Sequence, residues 1–332
     1  MSPIPTREGM ERGQLWIYLL AILAGLGLGA VLPPGAGPGL EALLWPALAL
    51  LLYATFAQAG LTRLPEAFRD RRLIAAALAG NFVALPLLVL AVLQLAPDDP
   101  PIRLGLLLVL LVPCTDWFLT FTHQAGGDLR RAIAITPALL LGQMLALPLY
   151  LWLFMGSEFA GPEFAGIVSG MRMAAVFLGV MALPLALAFA TEKWAARAAR
   201  GAALVARIGW APVPLLALVL FLIAASQVEP GRGALPVLWR ILPACLAFLA
   251  GAVLIGVGIG RGLGLPVAQA RVLVFTFATR NSFVVLPFAL ALPPGWEAAA
   301  VTVIFQSLIE LFAMLALLWL VPRWLLPDRT GE

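Results

Sequence analysis

The sequence predicts an all-α polytopic membrane protein with ten transmembrane helices in two inverted five-helix repeats. Three observations point to this class: the apolar share of the chain, its long apolar runs, and the distribution of its arginines. Of the 332 residues, 62% are apolar and only 11% are charged, against roughly 45–50% and about 25% in soluble domains. A soluble fold could not keep so much apolar surface from water. Most of the chain is therefore expected to lie in lipid.

Ten apolar runs are each long enough to cross the bilayer core, which takes about 20 helical residues. They are Leu15–Leu32, Leu43–Leu61, Leu73–Leu95, Leu104–Ala125, Ala132–Gly156, Met171–Ala190, Ile208–Ser226, Ile241–Gly260, Val272–Leu292 and Ala298–Val321. With five spans in residues 1–160 and five in 161–332, the second half would enter the membrane from the opposite side, as in the inverted repeats of many transporters. At an offset of 167 residues Trp152 coincides with Trp319, which favours such a repeat.

The basic residues indicate how the spans are oriented. If the N-terminus lies in the cytoplasm, 16 of the 21 Lys and Arg residues lie in cytoplasmic segments and four lie in segments on the opposite side. The remaining one, Arg280, lies within a span. This bias predicts a multi-pass protein of the inner or plasma membrane with both termini in the cytoplasm. The first run is long for a cleaved signal peptide and is expected to be a retained span. Residues 191–207 are expected to form an interfacial cytoplasmic linker between the sixth and seventh spans.

Composition excludes several classes of protein and site. The net charge of +4 comes from loop arginines with a single lysine, so no basic patch for nucleic acid is expected. One histidine and two cysteines in apolar spans exclude a His-ligated metal centre, a zinc site and a disulfide framework. Few candidate catalytic residues remain, so we do not expect an enzyme or a cofactor. The loops are short, so we do not expect a receptor either. The expected partners are membrane lipid, a small inorganic or organic solute, and H⁺ or Na⁺ as coupling ion.

Three charged side chains lie well inside predicted spans: Asp116, Arg280 and Glu310. An ionised group at mid-membrane costs about 2.5–3.5 kcal/mol on the translocon insertion scale. Each of these groups therefore requires a partner, a water-lined cavity or neutralisation. Charged residues in such positions mark transport pathways by default, which makes these three the first candidates for a site.

The fourth span is predicted to be interrupted at Pro113. Proline has no amide proton and its ring opposes the carbonyl of Val109, so the helix should break or kink there. Backbone groups freed by a break are tolerated in a membrane only where they are buried in protein or face a cavity. Candidate binding residues follow directly: Cys114, Thr115 and Asp116.

The ninth span carries a matching interruption. Its polar residues are Arg280, Asn281 and Ser282, and Pro287 is expected to open the helix by opposing a carbonyl one turn earlier. Two interrupted helices at matched positions of two repeats are the best sequence pointer to a transport site. The alternative is that each proline only kinks its helix and that Asp116 and Arg280 form a structural ion pair.

Two residues have both a chemical and a purely structural interpretation. A thiolate at Cys114 would bind soft species such as trivalent arsenic and antimony, whereas a buried cysteine usually acts as a small apolar side chain. Glu310 in the tenth span would carry a proton, or it would be a neutral acid hydrogen-bonded within the bundle.

Asn81 and Gln58 are expected to make hydrogen bonds between helices.

At Pro113-Cys114-Thr115 and Leu308-Ile309-Glu310 the chain resembles the arsenical-resistance permeases of the bile acid/sodium symporter superfamily. The resemblance extends over nearly the whole chain in span number and in the interrupted fourth and ninth spans. It implies ten spans in two inverted repeats, with a panel domain and a core domain whose broken helices cross. In those permeases the fourth-span cysteine, which matches Cys114, is tied to arsenite extrusion driven by proton exchange.

The ninth span departs from the permease pattern. Those permeases typically have Ser-Asn-Asn-Phe-Glu there, whereas this chain has Thr279-Arg280-Asn281-Ser282-Phe283-Val284, so an acid is missing and an arginine is added. Asp116 is likewise outside the usual pattern. Either the acid has moved to Asp116 with Arg280 as its counter-ion, or Arg280 holds the carboxylate of a different substrate.

The sequence therefore predicts a secondary transporter, with arsenite or antimonite efflux coupled to proton exchange as the leading function. Cys114 would recognise the metalloid, with no metal site beyond that thiol, and Asp116 or Glu310 would carry the proton. The alternative is a sodium-coupled symporter of an organic anion. In that case Asp116, Asn281 and backbone carbonyls at the breaks would hold sodium, and Arg280 would hold the anion.

Overall fold

The computed structural model describes residues 7–33, 37–58, 70–115, 117–155, 182–226, 235–290, 292 and 295–328. These residues form helices and no strand, which confirms the all-α prediction for the described part of the chain. The helices are α1 (Arg7–Val31), α2 (Gly37–Phe56), α3 (Arg71–Leu95), α4 (Pro100–Leu110), α5 (Trp117–Gln124), α6 (Leu129–Met155), α7 (Leu183–Ala195), α8 (Ala199–Ile208), α9 (Pro212–Ser226), α10 (Leu235–Gly262), α11 (Val267–Ala278), α12 (Ser282–Leu290) and α13 (Glu297–Leu320).

Four helices in the described ranges are long and apolar enough to cross a membrane. The qualifying stretches are Arg71–Leu95, Leu129–Leu151, Trp239–Gly262 and Glu297–Leu325. A fifth is added if α8 and α9, which meet at an angle of 41°, count as one bent span. The chain is therefore an all-α membrane protein, and the number of ten spans stays a prediction.

The predicted spans map onto these helices in different ways. The fourth and ninth spans are each two short helices, α4 with α5 and α11 with α12. Most of the sixth predicted span lies outside the described residues, since α7 begins at Leu183. The predicted linker 191–207 is helical except for a turn between Ala195 and Ala199.

The helices group into two compact units, each built from both halves of the chain. One unit contains α1, α2, α7, α8 and α9. Within it, α9 packs closely against α1 at Gly25, where a Cβ atom would lie 2.4 Å from the carbonyl oxygen of Phe221. The hydroxyls of Tyr53 on α2 and Thr191 on α7 are 2.9 Å apart. Gln58 donates to the carbonyl of Val205 at 3.4 Å, a hydrogen bond between segments of the kind predicted for this residue.

The other unit contains α3 to α6 and α10 to α13, including all four long apolar helices of the described ranges. Its α13 packs against α4 at Gly105, where a Cβ atom would lie 2.6 Å from the carbonyl oxygen of Ala299. The interior of this unit is mostly aliphatic and includes four fully buried aromatic rings, those of Phe118, Phe248, Phe275 and Phe277. From Gln269 to Ala278 every residue of α11 is buried, which places its broken end deep within the unit.

Three helices of this second unit begin at an aspartate. The side chains of Asp70, Asp99 and Asp128 each accept a hydrogen bond from the backbone amide three residues later. These bonds satisfy amides that have no partner within the first helical turn. Arg131 forms ion pairs with Asp70 at 2.8 Å and with Asp128 at 2.9 Å, which joins the starts of α3 and α6.

Arg271 fixes the start of α11 against two loops. This buried side chain donates to the carbonyl of Leu326 at 2.8 and 3.2 Å and to that of Gly126 at 3.1 Å. It also forms an ion pair with Asp328 at 2.8 Å. Gly126 has a positive φ of 70°, which glycine adopts at little cost and which lets the turn after α5 approach the guanidinium. The half-helices α5 and α11 are thereby held at fixed positions around the site.

Candidate functional site

The first interruption lies between α4 and α5, where Pro113 predicts it. α4 ends at Leu110, and the amide of Leu111 makes the last helical hydrogen bond to Leu107 at 3.2 Å. Pro113 has no amide with which to continue the helix by bonding to Val109. Residues up to Thr115 are non-helical and buried, and α5 begins at Trp117.

The second interruption lies between α11 and α12, at residues 279–281. Thr279 has an extended backbone (φ −100°, ψ 137°), and its hydroxyl donates to the carbonyl of Phe275 at 2.7 Å. Asn281 caps α12, since its side-chain oxygen accepts from the amide of Val284 at 3.2 Å. The expectation that Pro287 opens this helix is wrong, because α12 continues through position 287 and the break precedes it.

The two interruptions are paired with each other. Pro113 and Arg280 lie opposite one another as an antiparallel pair. The amide of Cys114 donates to the carbonyl of Thr279 at 3.2 Å, and the amide of Asn281 donates to the carbonyl of Val112 at 2.8 Å. Backbone groups released by the breaks thus satisfy one another, as a membrane interior requires. We call this pair of segments, residues 112–115 and 279–282, the crossing.

Side chains on both segments strengthen the crossing. The amide nitrogen of the Asn281 side chain donates to the hydroxyl of Thr115 at 3.3 Å. Ser282 donates through its hydroxyl to the side-chain oxygen of Gln306 on α13 at 3.4 Å. These bonds place polar groups from α4–α5, α12 and α13 in one buried cluster.

Arg280 is buried, with 2% of its surface exposed, and its guanidinium is surrounded by oxygen acceptors. Its Nη2 donates to the carbonyls of Thr276 at 2.8 Å and Phe277 at 2.7 Å, and Nη1 donates to the carbonyl of Leu110 at 3.5 Å. The guanidinium carbon also lies 5.4 Å from the centre of the Phe248 ring, a cation–π distance. The positive charge is therefore placed against the C-terminal ends of α4 and α11, where helix dipoles favour a cation.

Asn81 supplies a further oxygen to Arg280 from a π-helical turn of α3. The turn spans Gly80–Ala84, and the side-chain oxygen of Asn81 accepts from Arg280 Nη2 at 3.0 Å. The side-chain nitrogen of Asn81 donates to the carbonyl of Ala77 at 3.0 Å and to the hydroxyl of Thr276 at 3.4 Å. π-turns of this kind re-aim side chains and are frequent at functional sites.

Glu310 joins the crossing from α13. One of its carboxyl oxygens, Oε2, accepts from the backbone amide of Arg280 at 3.0 Å and from the side chain of Gln306 at 2.9 Å. Only 1% of the Glu310 surface is exposed. The acid is therefore tied directly to the peptide unit that carries the arginine.

Cys114 lies in the crossing itself and is 2% exposed. It is outside any disulfide, as is Cys245 on α10, which is equally buried. The described residues contain no group of three His, Cys, Asp or Glu side chains that would hold a metal ion. A thiol at the crossing is thus the soft ligand that the site offers.

The structure brings six of the seven candidate binding residues into one cluster: Cys114, Thr115, Arg280, Asn281, Ser282 and Glu310. Asp116 lies outside the described residues, and so does the predicted ion pair between Asp116 and Arg280. Sequence reasoning gave Asn81 only a generic bond between helices and did not single out Gln306, Thr276 or Phe248. Helical spacing could have found two of them, because Gln306 and Thr276 each precede a charged candidate by four residues and share its helix face.

Comparison with known proteins identifies the kind of molecule to which this site belongs. The family model described as Sodium Bile acid symporter family matches residues 45–230, more than half of the chain. The chain belongs to the sodium bile acid symporter family. Members of this family are transporters, so the protein is a multi-pass membrane transporter of this type, with lipid and a small solute as partners. No curated protein matches the chain.

The matched region has a direct bearing on the site. It includes the first interruption, with Pro113, Cys114 and Thr115, and it ends before α11. The second interruption, with Arg280 and Asn281, and the acid Glu310 therefore lie beyond the part of the chain that matches the family. The family match therefore says nothing about these residues, and their roles have to be argued from their own geometry.

Proposed function

We propose that this sodium bile acid symporter family member exports arsenite or antimonite in exchange for protons, with its transport site at the crossing. The observation that carries the proposal is that a thiol and an acid are attached to the same backbone pair. Cys114 bonds to Thr279 through its amide, and the amide of the next residue, Arg280, bonds to Glu310. The residue with the soft thiol and the acid that would carry the proton are thus bonded to neighbouring residues, Thr279 and Arg280.

Cys114 would recognise the metalloid through sulfur. Arsenite is a neutral hydroxide at pH 7, so charge gives little selectivity, whereas thiolate sulfur is a soft ligand that trivalent arsenic prefers. Binding would exchange one hydroxyl on arsenic for the sulfur of Cys114, and the thiol proton would leave with that hydroxyl as water. The hydroxyl of Thr115 and the side chains of Asn281 and Ser282 would then hydrogen-bond the remaining hydroxyls.

A carboxyl group would carry the exchanged proton. Glu310 is buried, and its Oε2 accepts hydrogen bonds from two N–H groups of the cluster. Asp116, which the sequence places two residues after Cys114, is the second candidate for this role. Alternation of one of these acids between its ionised and protonated forms would couple metalloid release to proton uptake.

The architecture we propose is ten spans in two inverted repeats, residues 1–160 and 161–332, with both termini cytoplasmic in the inner or plasma membrane. Two features support it. Each half of the chain supplies one interrupted helix to the antiparallel crossing. Each compact unit also draws helices from both halves, as expected when two repeats contribute corresponding elements to each unit.

The two cysteines provide a matched test of this proposal. Everted membrane vesicles with an acidic lumen should accumulate arsenite when they carry the wild-type protein. Cys114→Ser should lower accumulation at least about tenfold, to that of vesicles lacking the protein, because one sulfur-to-oxygen change removes the soft ligand. Cys245→Ser, at an equally buried cysteine outside the crossing, should accumulate arsenite like wild type.

Two outcomes of this assay would count against the account. Normal accumulation by Cys114→Ser, with Cys245→Ser also normal, would remove Cys114 from the transport pathway. Failure of the wild-type protein itself to accumulate arsenite would contradict metalloid export.

The second candidate is sodium-coupled symport of an organic anion, and the family description favours it. In this account Asp116, Asn281 and carbonyls at the breaks hold sodium, and Arg280 holds the anion. The Arg280 guanidinium instead bonds to the carbonyls at the ends of both half-helices. Uptake of a radiolabelled bile acid into right-side-out vesicles that requires an inward sodium gradient would establish this function in place of arsenite efflux.

A further inference from the structure

Three carbonyl groups at the crossing have lost their helical hydrogen-bond donors. In a continuous α-helix the carbonyls of Leu110, Thr276 and Phe277 would bond to the amides of Cys114, Arg280 and Asn281. The crossing redirects each of these amides: Cys114 bonds to Thr279, Arg280 bonds to Glu310, and Asn281 bonds to Val112. Three buried acceptors are left at the electronegative ends of α4 and α11.

The Arg280 guanidinium binds these same three carbonyls. Its contacts are 2.8 Å to Thr276, 2.7 Å to Phe277 and 3.5 Å to Leu110, and the side-chain oxygen of Asn81 is a fourth acceptor at 3.0 Å. Its Nε has no partner among the described residues, so the side chain is held through its terminal nitrogens. The guanidinium thus occupies the point where the four oxygens converge.

Carbonyl oxygens at the C-terminal ends of half-helices are the kind of ligand that coordinates a monovalent cation such as Na⁺ in a membrane interior. Arginine carries a permanent positive charge, because its guanidinium is not deprotonated in proteins. A second cation bound to the same oxygens would lie in contact with the guanidinium. Repulsion between the two positive charges would be strong there, because the interior contains little water. The site is therefore filled by the protein itself.

We propose that Arg280 is a built-in cation that takes the place of sodium at the crossing of this transporter. Transport through this protein is then independent of sodium, and removal of the side chain opens a monovalent-cation site formed by Leu110, Thr276, Phe277 and Asn81. The inference rests on the proposed function only in placing the transport site at the crossing. It sets the ion preference of that site within a family whose description names sodium.

Cation-dependent thermal stability of the purified full-length protein tests this proposal without any transported substrate. Unfolding is followed in sodium chloride and in choline chloride at equal ionic strength. Wild type should give the same Tm in both salts. Arg280→Ala should unfold at a lower Tm in choline and should regain about 2–4 °C in saturating sodium, because a ligand that binds only the folded state stabilises it.

Three further variants make the result specific to the four oxygens. Arg280→Lys keeps a positive charge and should be indifferent to sodium. The double variant Arg280→Ala with Asn81→Ala lacks one of the four oxygens, so its response to sodium should shift to higher concentration. Arg271→Ala removes another buried arginine, which bonds to loop carbonyls, and its Tm should not depend on which of the two salts is present.

Several outcomes would overturn the proposal. Sodium-specific stabilisation of wild type would show that Arg280 leaves a cation site open. An Arg280→Ala variant that folds and responds to neither sodium nor millimolar guanidinium would show that the four oxygens do not form a site. If Arg280→Ala does not fold, binding of ²²Na⁺ to wild type decides, since binding above that of an unrelated membrane protein contradicts the proposal and binding at that level supports it.

This readout also separates the inference from the proposed function. If the protein does not transport arsenite but the Tm values are as expected, the proposed substrate is wrong and the proposal for Arg280 stands. If arsenite accumulates only with sodium in the medium, the proposal for Arg280 is wrong and the proposed substrate stands.

Discussion

Arg280 makes two different connections at the residue scale. Its backbone amide donates to Glu310, and its side chain bonds to carbonyls at the ends of α4 and α11. Hydrogen bonds to an ionised carboxylate are roughly twice as strong as those to a neutral acid. Protonation of Glu310 would therefore weaken the bond to the amide of Arg280 and loosen the crossing. This bond is the physical link through which a proton would affect the metalloid site.

Glu310→Gln tests this link. Glutamine keeps the size and an oxygen acceptor for the amide of Arg280, and it removes the proton that the acid can carry. We expect proton-driven arsenite accumulation to fall at least about tenfold, the scale typical of a removed proton-transfer group, while arsenite–arsenite exchange across vesicles continues. The measurement is radiolabelled arsenite flux with and without an imposed pH gradient.

Glu297→Gln provides the control for this substitution. Glu297 lies at the start of the same helix, is exposed, and bonds only locally to the amide of Gly295 among the contacts described. Its variant should retain proton-driven accumulation. A Glu310→Gln variant that still accumulates arsenite in response to the pH gradient would assign the proton to another group, with Asp116 as the next candidate.

Much of the cluster could be predicted from sequence, since ionisable residues inside apolar runs are conspicuous. Arg280 and Glu310 are candidates for this reason, Cys114 is a candidate as a soft thiol beside the break at Pro113, and the structure places the three together. The acceptors of the guanidinium could not be predicted, because they depend on which amides the crossing redirects. Asn81 was identified as a polar residue between helices, and its contact with Arg280 depends on a π-turn that composition does not reveal.

At the scale of elements, the two breaks have different causes. The break after α4 follows from Pro113, which lacks an amide, so a reader of the sequence can locate it. The break after α11 has no proline at residues 279–281. It is held open by pairing with residues 112–114, an interaction between distant segments. For that reason the sequence indicated an interruption in this span and misplaced it at Pro287.

At the π-turn of α3, Gly80–Ala84, this helix packs closely against α11. Gly80 lies against the buried ring of Phe277, and a Cβ atom at Gly80 would be 1.9 Å from the ring. Phe277 in turn precedes the break of α11, and its carbonyl is one of the acceptors of Arg280. The absence of a side chain at Gly80 thus sets how closely α3 and α11 pack at the site.

Gly80→Ala should therefore destabilise the protein by about 1–3 kcal/mol, the usual cost of overpacking a filled interior. Tm measurements on purified protein give the comparison. Gly258→Ala is the matched control, because Gly258 lies on α10 of the same unit with no atom near its Cβ position. That change should leave Tm unaltered or raise it slightly, since alanine favours a helix. Equal Tm values for the two variants would contradict the close packing of α3 on α11.

At the scale of the whole molecule, the membrane class follows from the composition of the entire chain, and the transporter family follows from a match to somewhat more than half of it. An apolar share of 62% sets the class, and the match over residues 45–230 sets the family. All site residues and all four long apolar helices described belong to one unit. The grouping of helices from both halves into each unit could not be derived from span order alone, because hydropathy says nothing about which spans pack together.

The central claim is that Cys114, at the crossing, is the ligand of the transported metalloid. Arsenic K-edge X-ray absorption on the purified protein, loaded with arsenite, reports directly whether sulfur is bound to arsenic. We predict one sulfur in the arsenic coordination shell of wild type and of Cys245→Ser, and an all-oxygen shell for Cys114→Ser. An all-oxygen shell in wild type, or a sulfur that persists in Cys114→Ser, would contradict the claim.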